Sequence, residues 1–474
     1  MGVRVSVGLA MAFVSGPALA QSEPVALVPR TLQQALAAAY ANNPVLLQER
    51  ANLRSVDEGV PTALAGWRPQ VSVTTSAGYG DGDNKLSTQS FGGQNTTVVT
   101  RTNRVLFSAA ATLSQPLYRG GHTTSSTHQA VNSVLSERAK LIATEEQVFS
   151  DTINAYVGVI ENKNLLLLNI SNEQVLARQL QATNDRFRVG EITRTDVAQA
   201  EAALAGARAQ RETAEGNLQT ARATYAREVG MMPPDDLVEP QPLRLPVATE
   251  HEAVETAIAN NPNVIAALFS DAAAKDAVDV AFSALMPQVS LEGTAFRNDN
   301  ESYAHYRNIG AQATINLSVP IYQGGSEYAA VRQARQSEQK TQKAVDDARR
   351  QARQQAVEAW ETLIAARATV DSTRAQIRSN QIALDGVQRE AIVGSRTTLD
   401  VLNAQQALLN SRVTLVQNLA SVVNASYNVA GAVGRLTARD LSLNVPLYDE
   451  TAYYNAVRDR LWGTGDRATN QPGR

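Results

Sequence analysis

Alternating apolar and polar residues mark two pairs of predicted strands. Between Ile309 and Ile321 every second residue is apolar and the residues between are mostly polar. A period of two predicts strands with one apolar face and one polar face. A weaker alternation starts at Val71 and again at Val105. We expect hairpins at about residues 69–117 and 287–322, with strands of roughly ten residues, long enough to cross a membrane when tilted. A loop rich in Gly, Asn and Thr is expected from about residue 80 to residue 103.

Long proline-free stretches predict unusually long helices. No proline occurs between Pro116 and Pro233, or between Pro320 and Pro446. These intervals predict long helices at about residues 122–230 and 326–435, in which the first uninterrupted helix has about 65 residues and a length of roughly 100 Å. A compact domain cannot accommodate that length, so the helices must lie side by side as a bundle or tube. Two adjoining apolar stripes in the last helix fit a helix with neighbours on both sides.

A glycine-containing turn interrupts each of these helical regions. Residues 189–197 read VGEITRTDV and residues 393–401 read VGSRTTLDV. Glycine tolerates positive φ, and Thr or Asp can cap the helix that follows. Asn-Asn-Pro and Pro-Gln-Val-Ser segments also occur twice in the same order. Together these repeats predict an internal duplication.

The repeats suggest a division of the chain. The expected parts are a signal peptide (1–20), a first repeat (21–230), a proline-rich linker (231–250), a second repeat (251–440) and a partly disordered tail (441–474). Each repeat is expected to contain a helical start, a hairpin and long helices. The first repeat should begin with a helix behind Thr31 whose apolar residues share one face.

The N-terminus has the features of a secretory signal peptide. Arg4 precedes an apolar run at residues 5–14, and residues 18–20 have the small-x-small shape of a cleavage site. We therefore expect cleavage before Gln21. An N-terminal membrane anchor is the alternative, although the apolar run is short for a bilayer span.

Composition excludes several classes of site. The 43 basic and 46 acidic residues nearly balance, so no basic face for nucleic acid or acidic lipid is expected. Cysteine is absent, which excludes disulfides and thiolate metal sites. The four histidines are scattered, and no phosphate-binding loop or nucleophile motif occurs. We therefore expect neither an enzyme nor a bound metal or cofactor.

The predicted strands require assembly. Four strands cannot close a membrane barrel, because small barrels have about eight. An open sheet would leave backbone groups unpaired in hydrocarbon, which is not tolerated. Two chains would supply eight strands with a filled interior, whereas three would supply twelve strands around a water-filled, polar lumen. The long helices would continue this lumen as a tube.

The doubled hairpin, the paired long helices and the two glycine turns resemble the TolC family of outer-membrane channels, over roughly residues 30–440. The resemblance implies an α+β membrane protein: a homotrimer with a twelve-stranded barrel in the outer membrane of a Gram-negative bacterium, continued by a periplasmic α-helical coiled-coil barrel. The implied partners are a periplasmic adaptor (membrane fusion protein), an inner-membrane RND or ABC transporter, and outer-membrane lipid. The implied function is a conduit for small molecules in efflux or for polypeptides in type I secretion.

The resemblance also implies roles for residues of the two turns. The adaptor-docking tips would be Val189, Gly190, Val393 and Gly394. The periplasmic gate would comprise Thr195, Asp196, Arg396, Asp400 and Asn403.

The gate residues have a physical interpretation and an alternative. An Arg396 guanidinium can bridge oxygens of Thr195 and Asp196 on a neighbouring helix. Three copies of Asp400 would form an anionic ring that favours cations, although Asn403 stands where the family has a second acid. The alternative for Asp196 and Asp400 is helix capping alone.

The aromatic residues near the strand ends and the long helical hairpins each allow two interpretations. Trp67, Tyr118 and Tyr322 fit either an interfacial aromatic belt or packing at strand–helix corners. A periplasmic coiled-coil adaptor or scaffold without a pore would also use long helical hairpins. The alternation that begins at Ile309 argues against that second function.

Overall fold

The computed structural model describes residues 29–89, 92–93, 95–301 and 305–465. The predicted signal peptide and residues 466–474 of the tail lie outside these ranges. The first half contains α1 (Leu32–Asn42), α2 (Pro44–Asp57), α3 (Gly59–Leu64), β1 (Gln70–Gln89), β2 (Asn95–Arg119), α4 (His122–Arg188) and α5 (Arg194–Val229). The second half contains α6 (Glu250–Asn260), α7 (Pro262–Ser283), β3 (Gln288–Asp299), β4 (Arg307–Ser318), α8 (Ser326–Ile392) and α9 (Thr398–Ala432), and α10 (Ala452–Val457) follows in the tail.

The short helices begin where the sequence predicts. Thr31 caps α1 through a reciprocal capping box with Gln34, and the apolar residues of α1 are buried on one face. At the two Asn-Asn-Pro segments, the Asn43 side chain accepts a hydrogen bond from the Val45 N–H at 2.9 Å, and Asn261 does the same for Asn263 at 2.9 Å. A proline occupies the first position of α2 and of α7. Each segment therefore ends one helix and caps the next.

The strands form one antiparallel sheet in the order β1-β2-β3-β4. Val71 pairs with Leu113, Leu113 with Gly293, and Leu291 with Ile315. Residues directly opposite each other in such a sheet point to the same face. The register therefore gathers the predicted apolar positions of both hairpins on one face. Its exposed apolar residues include Val71, Val73, Tyr79, Val105, Leu113, Ile309, Ile315 and Leu317.

The opposite face of the sheet is mostly polar. Ser72 pairs with Thr112, which pairs with Thr294, and the second hairpin adds further polar pairs across β3 and β4. Ser76 and Ser108 join their hydroxyls at 2.7 Å on this face. The sheet is thus amphipathic across its full width.

The strands of the first hairpin are longer than predicted, at 20 residues in β1 and 25 in β2. The last pair of β2 with β3 joins Phe107 to Asp299, yet β1 and β2 continue for 12 further pairs, ending at Gln89 and Asn95. The prediction of a long loop from about residue 80 to residue 103 is therefore wrong, because most of these residues lie in strands. The extension is about 40 Å long at 3.4 Å per residue. Cross-strand pairing overrides the low strand preference of its Gly, Asp and Asn residues.

The long predicted helices are confirmed. α4 and α8 each contain 67 residues, or about 100 Å of helix. α4 packs along α5, and α8 packs along α9. On α9, four apolar residues that share one face of the helix are buried: Leu409, Ala420, Val423 and Ala430. Among the helices that the structure describes, none is both long and apolar enough to cross a bilayer.

The largest apolar core lies where the short helices meet α4 and α5. Leu36, Leu53, Phe149 and Tyr225 are almost completely buried there. The Tyr156 hydroxyl lies 2.8 Å from the Arg30 carbonyl oxygen and 2.7 Å from that of Val238. This one side chain therefore ties both the N-terminal segment and the linker to the middle of α4.

The tail is fastened to the same region and contains a helix that the sequence analysis did not predict. The Tyr448 N–H donates to the Tyr40 hydroxyl at 3.0 Å, and the Leu436 N–H donates to Glu146 at 3.2 Å. Burial raises the pKa of Glu146 to about 8, so its carboxyl is largely protonated at neutral pH. The tail, together with Leu436 just before it, thereby joins the end of the second half to helices of the first.

Candidate functional site

Both helical turns are built around a glycine with positive φ. Gly190 has φ 79° and Gly394 has φ 80°. Beyond them, the Glu191 N–H donates to the Arg186 carbonyl at 3.0 Å, and Ser395 N–H donates to the Glu390 carbonyl at 3.0 Å. These bonds close the C-termini of α4 and α8 with the left-handed residue that glycine supplies most cheaply.

The helices that follow begin with matching caps. Thr193 accepts a hydrogen bond from the Asp196 N–H, and the Asp196 carboxylate accepts from the Thr193 N–H at 3.0 Å and from its hydroxyl at 2.7 Å. Thr397 and Asp400 repeat the arrangement, with the corresponding distances 3.0 and 2.9 Å. The capping interpretation of Asp196 and Asp400 is confirmed by these reciprocal bonds. Their role in a gate stays a prediction.

The capping bonds also set the charge of the two carboxyls. Hydrogen bonds from the Thr193 hydroxyl and N–H lower the pKa of Asp196. Those from the Thr397 N–H and hydroxyl lower the pKa of Asp400. Donors that stabilise the charged form have this effect. Both residues therefore carry a full negative charge at neutral pH.

Each turn is crossed by an ion pair that the sequence analysis missed. Arg186 Nε lies 2.9 Å from Glu191 Oε1 at the first turn. At the second, Arg396 Nε lies 2.9 Å from Glu390 Oε2. Within the chain Arg396 thus bonds Glu390 rather than Asp196. The sequence did contain a signal for these ion pairs, because oppositely charged residues lie five or six positions apart on either side of each glycine.

The beginnings of α5 and α9 lie against each other. Thr398, the first residue of α9, lies near Asp196 and adds to the lowering of its pKa by the Thr193 hydrogen bonds. Leu402 of α9 packs against a buried cluster of Leu176 and Leu204. This apolar contact joins the two helices. Asp400 and Asn403 lie on α9 one turn apart, and Thr195 is exposed on the first turn of α5.

The apolar residues of the turns point into solvent. Val189 is 77% exposed and Val393 is 78% exposed. Ile392 is equally exposed beside Val393. Apart from the adjacent residues of the turn, no atom of the described residues lies within 4 Å of the position that a Cβ would take at Gly190 or Gly394. Each turn thus presents an accessible apolar tip, and apolar anchors of this kind suit a protein partner.

Comparison with known proteins identifies relatives of this arrangement. The family described as "Outer membrane efflux protein" matches residues 35–230 and 253–435. Outer membrane efflux protein BepC of Brucella suis biovar 1 is 34% identical over 441 residues, 92% of each chain. Outer membrane protein TolC of Vibrio cholerae serotype O1 is 25% identical over 421 residues, covering 85% of this chain and 90% of that protein. A crystal structure of the channel CusC superposes with a TM-score of 0.73 at 16% identity, covering 88% of this chain and 95% of that one.

Replacing Gly394 with alanine should destabilise the second turn, whereas the same change at Gly386 should not. At both positions a Cβ would meet no atom of a non-adjacent described residue within 4 Å, so only the backbone conformation differs. A left-handed alanine costs about 1–2 kcal/mol, while alanine within α8 gains about 0.5–1 kcal/mol. Hydrogen exchange of the Ser395 amide would measure the difference. Equal protection in Gly394→Ala and Gly386→Ala would contradict the assigned role of the glycine.

Proposed function

The chain belongs to the outer membrane efflux protein family, and from that premise we propose that three copies close into one channel across the outer membrane and periplasm. The protein is an outer-membrane conduit that carries small molecules or polypeptides from an inner-membrane transporter to the exterior. The observation that carries the trimeric assembly is the amphipathic sheet, whose apolar face is exposed over all four strands. The family consists of transport channels rather than enzymes.

The sheet favours a barrel completed by neighbouring copies. β1 and β4 form its edges, and each pairs with only one strand among the described residues. Hydrocarbon does not tolerate unpaired strand edges. Pairing β4 of one copy with β1 of the next around a threefold axis would remove every edge and give twelve strands. The polar face would then line a water-filled lumen. The matching order of elements in the two halves supports an origin by internal duplication.

The connections orient this barrel. Both hairpin turns lie at one end of the sheet, and the short and long helices join its strands at the other end. The hairpins would therefore face the exterior and the helices the periplasm. Trp67, Tyr118 and Tyr322 are exposed at the helical end of the strands. That position fits an aromatic belt at the periplasmic surface of the outer membrane.

The helical tips fit the docking of a periplasmic adaptor. Val189, Gly190, Val393 and Gly394 form the exposed ends of the longest helices. In the trimer six such tips would surround the tunnel entrance. An adaptor (membrane fusion protein) bound there would connect the conduit to an RND or ABC transporter, which selects the cargo.

The gate would work by exchange of hydrogen-bond partners. In the single chain Arg396 bonds Glu390, and Asp196 bonds Thr193. In a closed trimer, Arg396 would reach Thr195 and Asp196 of the adjacent copy. All of these groups are accessible to water, so the contacts are weak and can be broken when an adaptor binds.

Asp400 would give the entrance its ion preference. Three copies would make an anionic ring, which favours cations. Asn403 lies on the next turn of α9 and contributes no charge to a second ring. The cation preference should therefore be weaker than with two acidic rings.

Removing the Arg396 side chain should make the purified channel leakier. Arg396 takes no part in either capping box, so Arg396→Ala tests the gate without altering a helix cap. Asp196→Ala should have the same effect because it removes the acceptor. Single-channel conductance in planar bilayers is the measurement, with Arg389→Ala, exposed on the same part of α8, as the control. Unchanged conductance in both gate variants would contradict the gate, and absence of any pore in the wild type would contradict the conduit.

A photoreactive residue at Glu191 or Ser395 should trap an adaptor in cells. Both residues are exposed beside the glycine of a tip. The matched control is Arg350, exposed on α8 and about 65 Å from the second tip along the helix. Co-isolation of a proton-driven pump would assign efflux, and that of an ATP-driven exporter would assign protein secretion. Equal trapping from Arg350, or none from either tip in correctly assembled channel, would contradict docking at the tips.

A further inference from the structure

The described tail ends in an exposed apolar pair. Leu461 is 74% exposed and Trp462 is 88% exposed. They lie four and five residues beyond the end of α10, whose last residue, Val457, is completely buried. An indole has a large apolar body and one polar N–H, and such side chains favour surfaces that are apolar on one side and wet on the other.

The pair is presented by a defined loop. Arg460 Nε donates to the Trp462 carbonyl at 3.0 Å, and Arg460 Nη1 donates to the Gly465 carbonyl at 2.7 Å. Gly463 has φ 98°, and a Cβ there would lie 3.0 Å from the Arg460 guanidinium. Glycine therefore allows the chain to wrap around Arg460. The wrap turns Leu461 and Trp462 outward.

Contacts of the tail place this loop beside the helical end of the sheet, where the strands join the helices. The Tyr453 hydroxyl donates to Glu58 at 2.8 Å, which fixes α10 against the end of α2. Arg68 Nη1 donates to the Arg460 carbonyl at 2.8 Å. Arg68 precedes the first residue of β1 by two positions, a span of at most about 7 Å. The apolar pair thus lies close to the helical end of the strands.

Trp67 marks the same end. Its carbonyl accepts a hydrogen bond from the Gln115 side chain of β2 at 2.9 Å, and its ring is partly exposed. Arg68 bonds the tail loop here, and the Arg119 guanidinium lies beside Gly66, next to Trp67. Apolar and aromatic side chains beside arginines at the end of membrane-length strands match the boundary between the hydrocarbon and the headgroups of a membrane.

We propose that Leu461 and Trp462 anchor the tail in the inner leaflet of the outer membrane, where they contact phospholipid headgroups and the adjoining parts of the acyl chains. The inference rests on the proposed function, because it needs the sheet to span that membrane with its helical end toward the periplasm. The anchor would hold the tail of each chain against the periplasmic end of the barrel. It would add a membrane contact outside the barrel wall.

Tryptophan fluorescence can test this anchor with the natural residues of the chain. The sequence contains three tryptophans, Trp67, Trp360 and Trp462. Three variants, each keeping one tryptophan and carrying Phe at the other two, are reconstituted into phospholipid vesicles. A phospholipid with a spin label near its headgroup, and acrylamide in the water, serve as quenchers. Trp360, on α8 in the helical part, is the control for a site away from lipid.

The expected result is that the lipid quencher reduces Trp462 emission about as strongly as Trp67 emission, while Trp360 is unaffected. Quenching of Trp67 but not of Trp462 would overturn the anchor and leave the proposed membrane position intact. Trp462 shielded from both quenchers would mean that a neighbouring chain covers it, which also overturns the anchor. Failure to quench Trp67 and Trp462 alike would contradict the proposed position of the barrel. If a single-tryptophan variant does not assemble, the lipid-quenchable emission lost in Trp462→Phe alone gives the same comparison.

Discussion

The unpaired edges of an amphipathic sheet are the constraint on which the rest of this account depends. The four strands expose an apolar face that water disfavours, and their outer edges carry backbone groups that hydrocarbon does not tolerate. Neither solvent suits the sheet of a single chain. Closure with neighbouring copies satisfies both conditions together, because it pairs the edges and directs the polar face inward. The proposed lumen, the orientation and the trimer all follow from that closure.

The long helices are arranged around the axis by the same closure of the sheet. Each strand pair leads into a 67-residue helix, so a closed ring of strands carries a ring of helices with it. The glycine turns then determine where those helices reverse. Their positive φ and their Thr-Asp caps build rigid tips whose apolar ends stay exposed. A conduit that must dock and open at one end needs this combination of firm local structure and weak contacts between tips.

Much of the fold follows from local rules and could be predicted. The cap at Thr31, the breaks at Asn-Asn-Pro and the lengths of α4 and α8 depend on residues that are near each other in the sequence. The strand extension of the first hairpin could not be predicted, because its glycines favour strands only once a partner strand is in place. Helix α10 depends on contacts such as that of Tyr453 with Glu58, which are far apart in the chain.

The candidate site shows the same division. The glycine turns and the capping role of Asp400 follow from residue types and spacing. The pairing of Arg396 with Glu390 does not, because several acids lie within reach of a flexible arginine and only the folded turn selects one. Contacts between copies of the chain are harder still to predict from local sequence, because they depend on which surfaces of the sheet and of the tips come together.

The most direct measurement is the mass of the channel-forming species. The protein would be extracted from the outer membrane in mild detergent, tested for pores in planar bilayers, and weighed by native mass spectrometry in the same preparation. If the sheet closes as proposed, pore activity will accompany a complex of three chains. Pores formed by a single chain or by two would contradict the closure of the sheet into a twelve-stranded barrel.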